Sequence, residues 1–289
     1  MNNSIPIYNG PIAVLDMLGF KEYVQLNTIQ SVIDEYAHVI TSASFTADDM
    51  KENLELMVYS DTIAIRLIEN SEKGFCNFIK AMQLISHQYF YKNQIPGYNP
   101  IPIRGAISFG EYSWHKGDIS TQVFNRNPII AKNINFIVGQ AILDAHDLES
   151  KQSWIAISLT SEMGELIKKK YPDAFYNLEK QKYIIKYDIP IHEGTIKGYV
   201  INPTERATFN NSFLAFCEKC SQILEKQVKN VVKEKYINTL KLLKVIYDEN
   251  DLCPRWDNEL LKEIPRKPID FNPYEDLIGR FALESEKNS

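Results

Sequence analysis

Residues 11–15, Pro-Ile-Ala-Val-Leu, form a short apolar run that ends at Asp16-Met17-Leu18-Gly19-Phe20 and reads as a buried strand. Beyond it Val24, Ile29, Val32, Ile33, Tyr36, Ala37 and Ile40 recur three or four apart, the period of a helix with one apolar face. Residues 41–53 are polar and read as a loop. Two apolar runs, 54–59 and 62–68, flank the polar pair Ser60-Asp61, which is the pattern of a hairpin. A second helical period links Phe75, Phe78, Ile79, Met82, Ile85 and Tyr89, and Pro96-Gly97 ends it. Residues 101–110 predict another strand, with Pro102 near its start, where a missing N–H is tolerated. Residues 111–135 show no clear period. A third helical pattern runs through Ile137, Val138, Ala141, Ile142, Ala145 and Leu148. Strands at 154–158, 183–188 and 197–201 and a short helix over Ser161–Lys170 complete this part.

The order β-α-β-β-α-β predicts an α+β fold of the ferredoxin-like split βαβ kind, an antiparallel sheet with helices on one face. From about residue 205 the texture changes. Phe213, Phe216, Cys217, Cys220, Leu224, Val228, Val231, Val232, Leu240, Leu243 and Ile246 predict one or two long helices. The tail from Pro254 carries four prolines and then charges, and reads as a surface arm. The expected organisation is a catalytic domain over 1–204 and a helical C-terminal extension with a flexible tail over 205–289.

Composition narrows the function classes. The 289 residues include 32 basic and 37 acidic ones, a net charge of -5, so no excess of Lys and Arg is present to attract nucleic acid. An apolar content of 44% is enough for a core. No apolar run approaches the ~20 residues that cross a bilayer, and Met1-Asn2-Asn3-Ser4-Ile5-Pro6 lacks the features of a signal peptide. A cytoplasmic protein with no nucleic-acid or membrane partner is expected. Cys217-Glu218-Lys219-Cys220 is an isolated CxxC with no further zinc ligands nearby, and its thiols fall on the apolar face of a helical pattern.

The candidate chemistry sits on Asp16 and Asp61. Asp16 closes the first strand and Asp61 lies in the hairpin turn. In a split βαβ sheet those strands are neighbours, so carboxylates 45 positions apart can converge. A converging pair is costly without a cation and is suited to hold one or two divalent ions. The plainer alternative is two ordinary turn aspartates. A helix after Leu18-Gly19-Phe20 adds first-turn N–H groups that suit phosphate.

Four segments resemble, in order, the motifs of class III nucleotidyl cyclases. Ala13-Val14-Leu15-Asp16-Met17-Leu18-Gly19-Phe20 resembles the first-strand motif, apolar-Asp-x-x-Gly-Phe. Tyr59-Ser60-Asp61-Thr62-Ile63-Ala64 resembles Gly-Asp-apolar, with Ser60 in place of glycine. Residues 103–111 resemble the Arg-x-Gly strand, and 139–149 resemble the helix Gly-x-x-Val-Asn-x-Ala-x-Arg-Leu-Glu. The resemblance spans about residues 11–202. It implies two Mg²⁺ or Mn²⁺ ions per site held by Asp16, Asp61 and the Met17 carbonyl. It also implies a triphosphate cradled at Phe20 and its neighbours, and Arg104 on the leaving pyrophosphate. The family works as a head-to-tail homodimer with both protomers in each site.

Departures from the family pattern refine what is implied. Leu143 stands where the family has its ribose-orienting Asn, and Asp147 where it has its transition-state Arg. Met57 and Phe136 replace the adenine-reading Lys and Asp. The chain therefore most resembles the pyrimidine cyclases of the bacterial Pycsar anti-phage system. That branch implies conversion of UTP or CTP to cyclic UMP or cyclic CMP, with a separate effector that acts through the product only. Arg126 is a candidate for the missing cation, and Lys197, with Lys186 as its rival, for a phosphate contact from the partner protomer; each also reads as a plain surface residue. Two other readings stay open: a purine cyclase with altered base contacts, and an inactive cyclase-like nucleotide-binding module.

Overall fold

A computed structural model describes residues 5–44, 54–95, 98, 100–121, 129–226, 228–253 and 271–287. In chain order the elements are β1 (Ile7–Met17), α1 (Phe20–Leu26), α2 (Ile29–Ser44), β2 (Leu54–Tyr59), β3 (Thr62–Leu67), α3 (Glu72–Lys92), β4 (Ile103–Thr121) and β5 (Ile129–Val138). Then follow α4 (Gln140–Lys151), β6 (Ile157–Thr160), α5 (Ser161–Lys170), α6 (Pro172–Lys180), β7 (Ile184–Ile191), β8 (Gly194–Ile201), α7 (Phe209–Glu225), α8 (Asn230–Asp248) and α9 (Asn272–Lys287). The fold is α+β. The row of strands is β2-β3-β1-β4-β6-β8-β7, and β5 pairs with β4 outside that row.

Two features of the expected sheet need correction. The sheet is mixed, because β4 and β6 run parallel with Gly105 opposite Ile157. Helices also cover both faces. Residues 10–15 of β1 are buried without interruption, as expected of a strand with cover on each side. Ala13, Leu15, Met17, Ile63, Ile103 and Ile107 face α3, α5 and α6 through Phe75, Phe78, Ile167 and Phe175. Each such fully buried ring contributes roughly 2–3 kcal/mol. On the other face Ala106, Ile185 and Val200 meet Leu148 of α4 and Phe213, Phe216, Ile237 and Leu240 of α7 and α8. The C-terminal helices are therefore packed onto the sheet.

Several boundaries move for local reasons. The segment without a period is a strand pair, whose register shifts between Gly117 and Ile119 and so breaks the alternation. Ile137 and Val138 end β5 rather than begin a helix, because Gly139 turns the chain at φ 142°. The first helical pattern is two helices that run on to Ser44, and α6, with Pro172 in its first turn, was not anticipated. Within the expected arm, residues 272–287 form a helix whose Leu277 is buried with the C-terminal cluster. Residues 254–270 lie outside the described residues. Cys217 and Cys220 are buried on α7, and burial pushes both thiols up, Cys217 to about 12. Among the described residues no helix is long and apolar enough to cross a membrane.

At the sheet end remote from Asp16, the Arg66 guanidinium lies 4.1 Å from the Tyr8 ring centroid and donates to Glu55 Oε2 at 2.8 Å. Lys116 Nζ stands 2.9 Å from Glu55 Oε1. Burial alone would raise the Glu55 carboxyl, but hydrogen bonds and charge from Lys116 and Arg66 outweigh it and hold it below its ordinary value. A depressed carboxyl stabilises the fold above its unfolded pKa, and that contribution fades as pH falls through the folded value. Glu55→Gln is therefore expected to cost about 1–2 kcal/mol near pH 7. The gap between variant and wild type should narrow in urea titrations as pH falls below the ordinary carboxylate range; a gap independent of pH would refute the ionic origin.

Candidate active site

Asp16 stands one residue before the end of β1, opposite Thr62 of β3 and Arg104 of β4. Ser60 and Asp61 form the two-residue turn of the β2–β3 hairpin, closed by the Tyr59–Thr62 pair. Ser60 has φ 53°, a conformation that glycine adopts most easily. Serine here takes a left-handed conformation that a glycine would adopt without strain. The Met17 N–H donates to the Asp61 carbonyl at 3.0 Å, which ties the turn to the end of β1. The Asp16 carboxyl is raised: burial raises it, Arg104 lowers it and the Asp61 charge raises it again, while Lys235 of α8 lowers it. The Asp61 charge thus reaches Asp16.

Arg104 is enclosed rather than projecting. Its Nε is 2.6 Å from Glu149 Oε1 and 3.4 Å from Asp16 Oδ2, and a terminal nitrogen donates to the Gln152 carbonyl at 3.2 Å. The Glu149 contact is an ion pair without an aligned N–H, since Arg104 Nε and Glu149 Oε1 are both buried and lack a well-directed hydrogen bond. Glu149 is 3% exposed. Burial raises its carboxyl, with Arg104 opposing and Asp16 adding, and His146 Nδ1 approaches its other oxygen at 3.3 Å. The guanidinium so placed orients Asp16.

Phe20 begins α1 after Gly19 and meets the Tyr36 ring edge-on at 5.5 Å. Tyr36 of α2 in turn has its hydroxyl pushed up, by burial first and then by the Asp61 charge. Met57 lies in register with Ala64, on the same sheet face as Asp16. It is 5% exposed, packed with Ile12, Ala64, Tyr112 and Trp114, and its sulfur accepts from the Tyr59 hydroxyl. Phe136 of β5 stacks on His115 at 5.2 Å, away from the strand end that carries Asp16. Lys197 does not join the cluster. It lies in a groove of about 840 Å³ formed by β7, β8, α5 and α8, is 80% exposed and pairs with Asp188 at 2.8 Å. Arg126 lies outside the described residues. Leu143 is 61% exposed, and one turn on Asp147 is also exposed and bonds Lys151 at 2.6 Å; both sit on the outer side of α4.

The donor set fits hard divalent ions. Two carboxylates, with Asp16 penalised by burial and by its neighbour, gain from a cation. Among the described residues no three His, Cys, Asp or Glu side chains converge to hold a metal. Backbone carbonyls such as that of Met17 and the phosphates of a ligand would complete the shell. Three participants escaped the sequence: Glu149, Lys235 and Tyr36. Glu149 left a trace, as the single acid on the buried face made by Ala141, Ala145 and Leu148. Lys235 left none, because lysines are common on helices.

No protein-family model matches the chain, and no curated protein matches it. Solved structures do match in outline. The chain is similar to the adenylyl cyclase CyaB from P. aeruginosa, with 16% identity and a TM-score of 0.45 over 70% of this chain and 98% of that one. It is similar to the guanylate cyclase domain of RhGC from Catenaria anguillulae in complex with GTP, with 12% identity and a TM-score of 0.41 over 68% and 98%. A bacterial light-regulated adenylyl cyclase aligns at 12% identity and a TM-score of 0.46 over 74% of this chain and 58% of that one. These likenesses are loose ones, to adenylyl and guanylyl cyclases.

Proposed function

We propose that the chain is a pyrimidine nucleotide cyclase, a phosphorus–oxygen lyase that converts UTP or CTP to cyclic UMP or cyclic CMP and pyrophosphate. The observation that carries the proposal is the Asp16–Asp61 pair at the joined ends of β1 and the β2–β3 hairpin, backed by Arg104. The four ordered motifs support the same chemistry. In it the ribose 3′-hydroxyl attacks the α-phosphorus in line and pyrophosphate leaves. Asp16 and Asp61 would hold two Mg²⁺ or Mn²⁺ ions, which when bound acidify the hydroxyl and offset charge on the phosphates. Arg104 and Glu149 hold Asp16 in place, so its geometry is set before substrate arrives. The backbone N–H groups at Phe20, where α1 begins, would cradle the triphosphate.

The pyrimidine assignment rests on Met57 and Phe136. Neither can supply the cation and carboxylate that read adenine, so a purine finds no partner pair. Phe136 stands away from Asp16 within one chain, as in a head-to-tail homodimer where one protomer brings the metal aspartates and its partner the base-facing strands, whereas Met57 is buried among Ile12, Ala64, Tyr112 and Trp114 and faces no base in the single chain. Leu143 and the outer side of α4 would lie in that interface. The product would serve as a second messenger in anti-phage defence, read by a separate effector. The catalytic domain is taken as 1–204, with 205–289 as an extension. The test is incubation with Mn²⁺ and each of the four triphosphates, with products identified by mass. Cyclic UMP or cyclic CMP well above cyclic AMP and cyclic GMP is expected. Equal or greater cyclisation of ATP would replace the base assignment with a purine one. No product from any triphosphate, with binding retained, would indicate an inactive nucleotide-binding module.

A further inference from the structure

Among the described residues, Arg104 is the cation paired with Asp16, and phosphate chemistry there calls for a further one. Asp147 puts a negative charge on the outer side of α4, and Arg104 is already balanced by Glu149 and Asp16. Charge that develops on a leaving pyrophosphate is stabilised by a positioned ammonium or guanidinium. α8 is fastened beside this cluster. Thr239 Oγ1 accepts the Ile155 N–H at 2.7 Å and donates to the Lys235 carbonyl at 2.7 Å, and Asn238 Nδ2 donates to the Ser153 carbonyl at 2.9 Å. These bonds pin the helix face of Lys235, Asn238 and Thr239 to the segment that follows Gln152, and the Gln152 carbonyl is the Arg104 acceptor. Gln152 is fully buried, donates to the Gly105 carbonyl at 2.7 Å and accepts from Trp154 Nε1 at 2.8 Å, so this segment is rigidly held.

We infer that Lys235, carried by the C-terminal helix α8, is the cation that meets the phosphates of the nucleotide bound at Asp16 and Asp61. The inference rests on the proposed function and deepens it, giving the C-terminal extension a part in the active site of its own chain. Lys235 is half-buried and shares the α8 face of Asn238 and Thr239, which is bonded to the segment that follows Gln152. The surroundings agree: burial lowers the lysine and Arg104 lowers it further, while Asp16 and Glu149 act to keep it charged. An anionic phosphate would satisfy an ammonium there, and Arg104, the cation in contact with Asp16, is already held by Glu149 and the Gln152 carbonyl.

The test compares wild type, Lys235→Met and Lys235→Arg. Turnover is measured with Mn²⁺ and all four triphosphates, and binding of 3′-deoxy-UTP and 3′-deoxy-ATP, which cannot cyclise, by calorimetry. Lys235→Met should lower kcat roughly 100-fold, the size found for loss of one charge-stabilising donor. It should weaken 3′-deoxynucleotide binding roughly tenfold while the thermal midpoint holds, and Lys235→Arg should recover most of both. Wild-type turnover with unchanged kcat and binding in Lys235→Met overturns this inference and leaves the cyclase intact. A fall in activity that tracks a fall in thermal midpoint, without rescue by arginine, also overturns it. A wild-type chain that neither binds nor turns over any triphosphate removes the proposed function and this inference together.

Discussion

Asp61→Ala is expected to lower triphosphate cyclisation by at least about 10³-fold while the protein stays folded. The tie between the hairpin turn and β1 runs through the Asp61 carbonyl, not its side chain, so truncation leaves that bond in place. The side chain is only partly buried, and the charge removed is one that raises the Asp16 carboxyl. Stability should therefore change by no more than about 0.5 kcal/mol, and in the direction of gain. Mn²⁺ titration by calorimetry supplies the second readout: ion affinity should fall with the activity. A variant that keeps more than a tenth of wild-type turnover would show that Asp61 is an ordinary turn aspartate.

Much of this site was legible because it is built from local signals. Asp16 follows an apolar run and Asp61 sits in a polar pair between two such runs, and sheet pairing of consecutive strands brings them together. The hairpin was visible for the same reason. Long-range features were less so. The parallel contact of β4 with β6 depends on a crossover through α4, and no local pattern announces strand direction. The β4–β5 pair was hidden by its register shift at Gly117. Arg104 was found as a residue, but its enclosure by Glu149 and Gln152 is a tertiary fact. Lys235 is more remote still, since its helix lies beside this segment only because α7 and α8 pack on the sheet. Lys197 shows the converse: a lysine in a suggestive strand motif that spends its charge on Asp188.

The helix that carries Glu149 depends on one glycine, and Gly139→Ala is expected to cost about 3–5 kcal/mol. Gly139 has φ 142°, outside the range that side-chain-bearing residues favour, and it joins β5 to α4. Space is the larger problem. A Cβ there would lie 2.5 Å from the Tyr112 Cα and 2.6 Å from the Glu111 carbonyl oxygen, and backbone of a central strand cannot give way cheaply. Relief requires α4 to move off β4, which draws Glu149 from Arg104 and loosens Asp16. Gly194 separates the two contributions. It has φ 98°, but a Cβ there meets nothing within 4 Å, so Gly194→Ala carries backbone strain alone, about 1–2 kcal/mol. Urea unfolding of both variants, with cyclase assays below the transition, gives the comparison. Gly139→Ala should be the less stable by 2 kcal/mol or more, roughly, and should lose activity even where it remains folded. Equal stabilities would mean that α4 is not held against β4 by this close approach, and full activity would mean that Glu149 does not position Arg104.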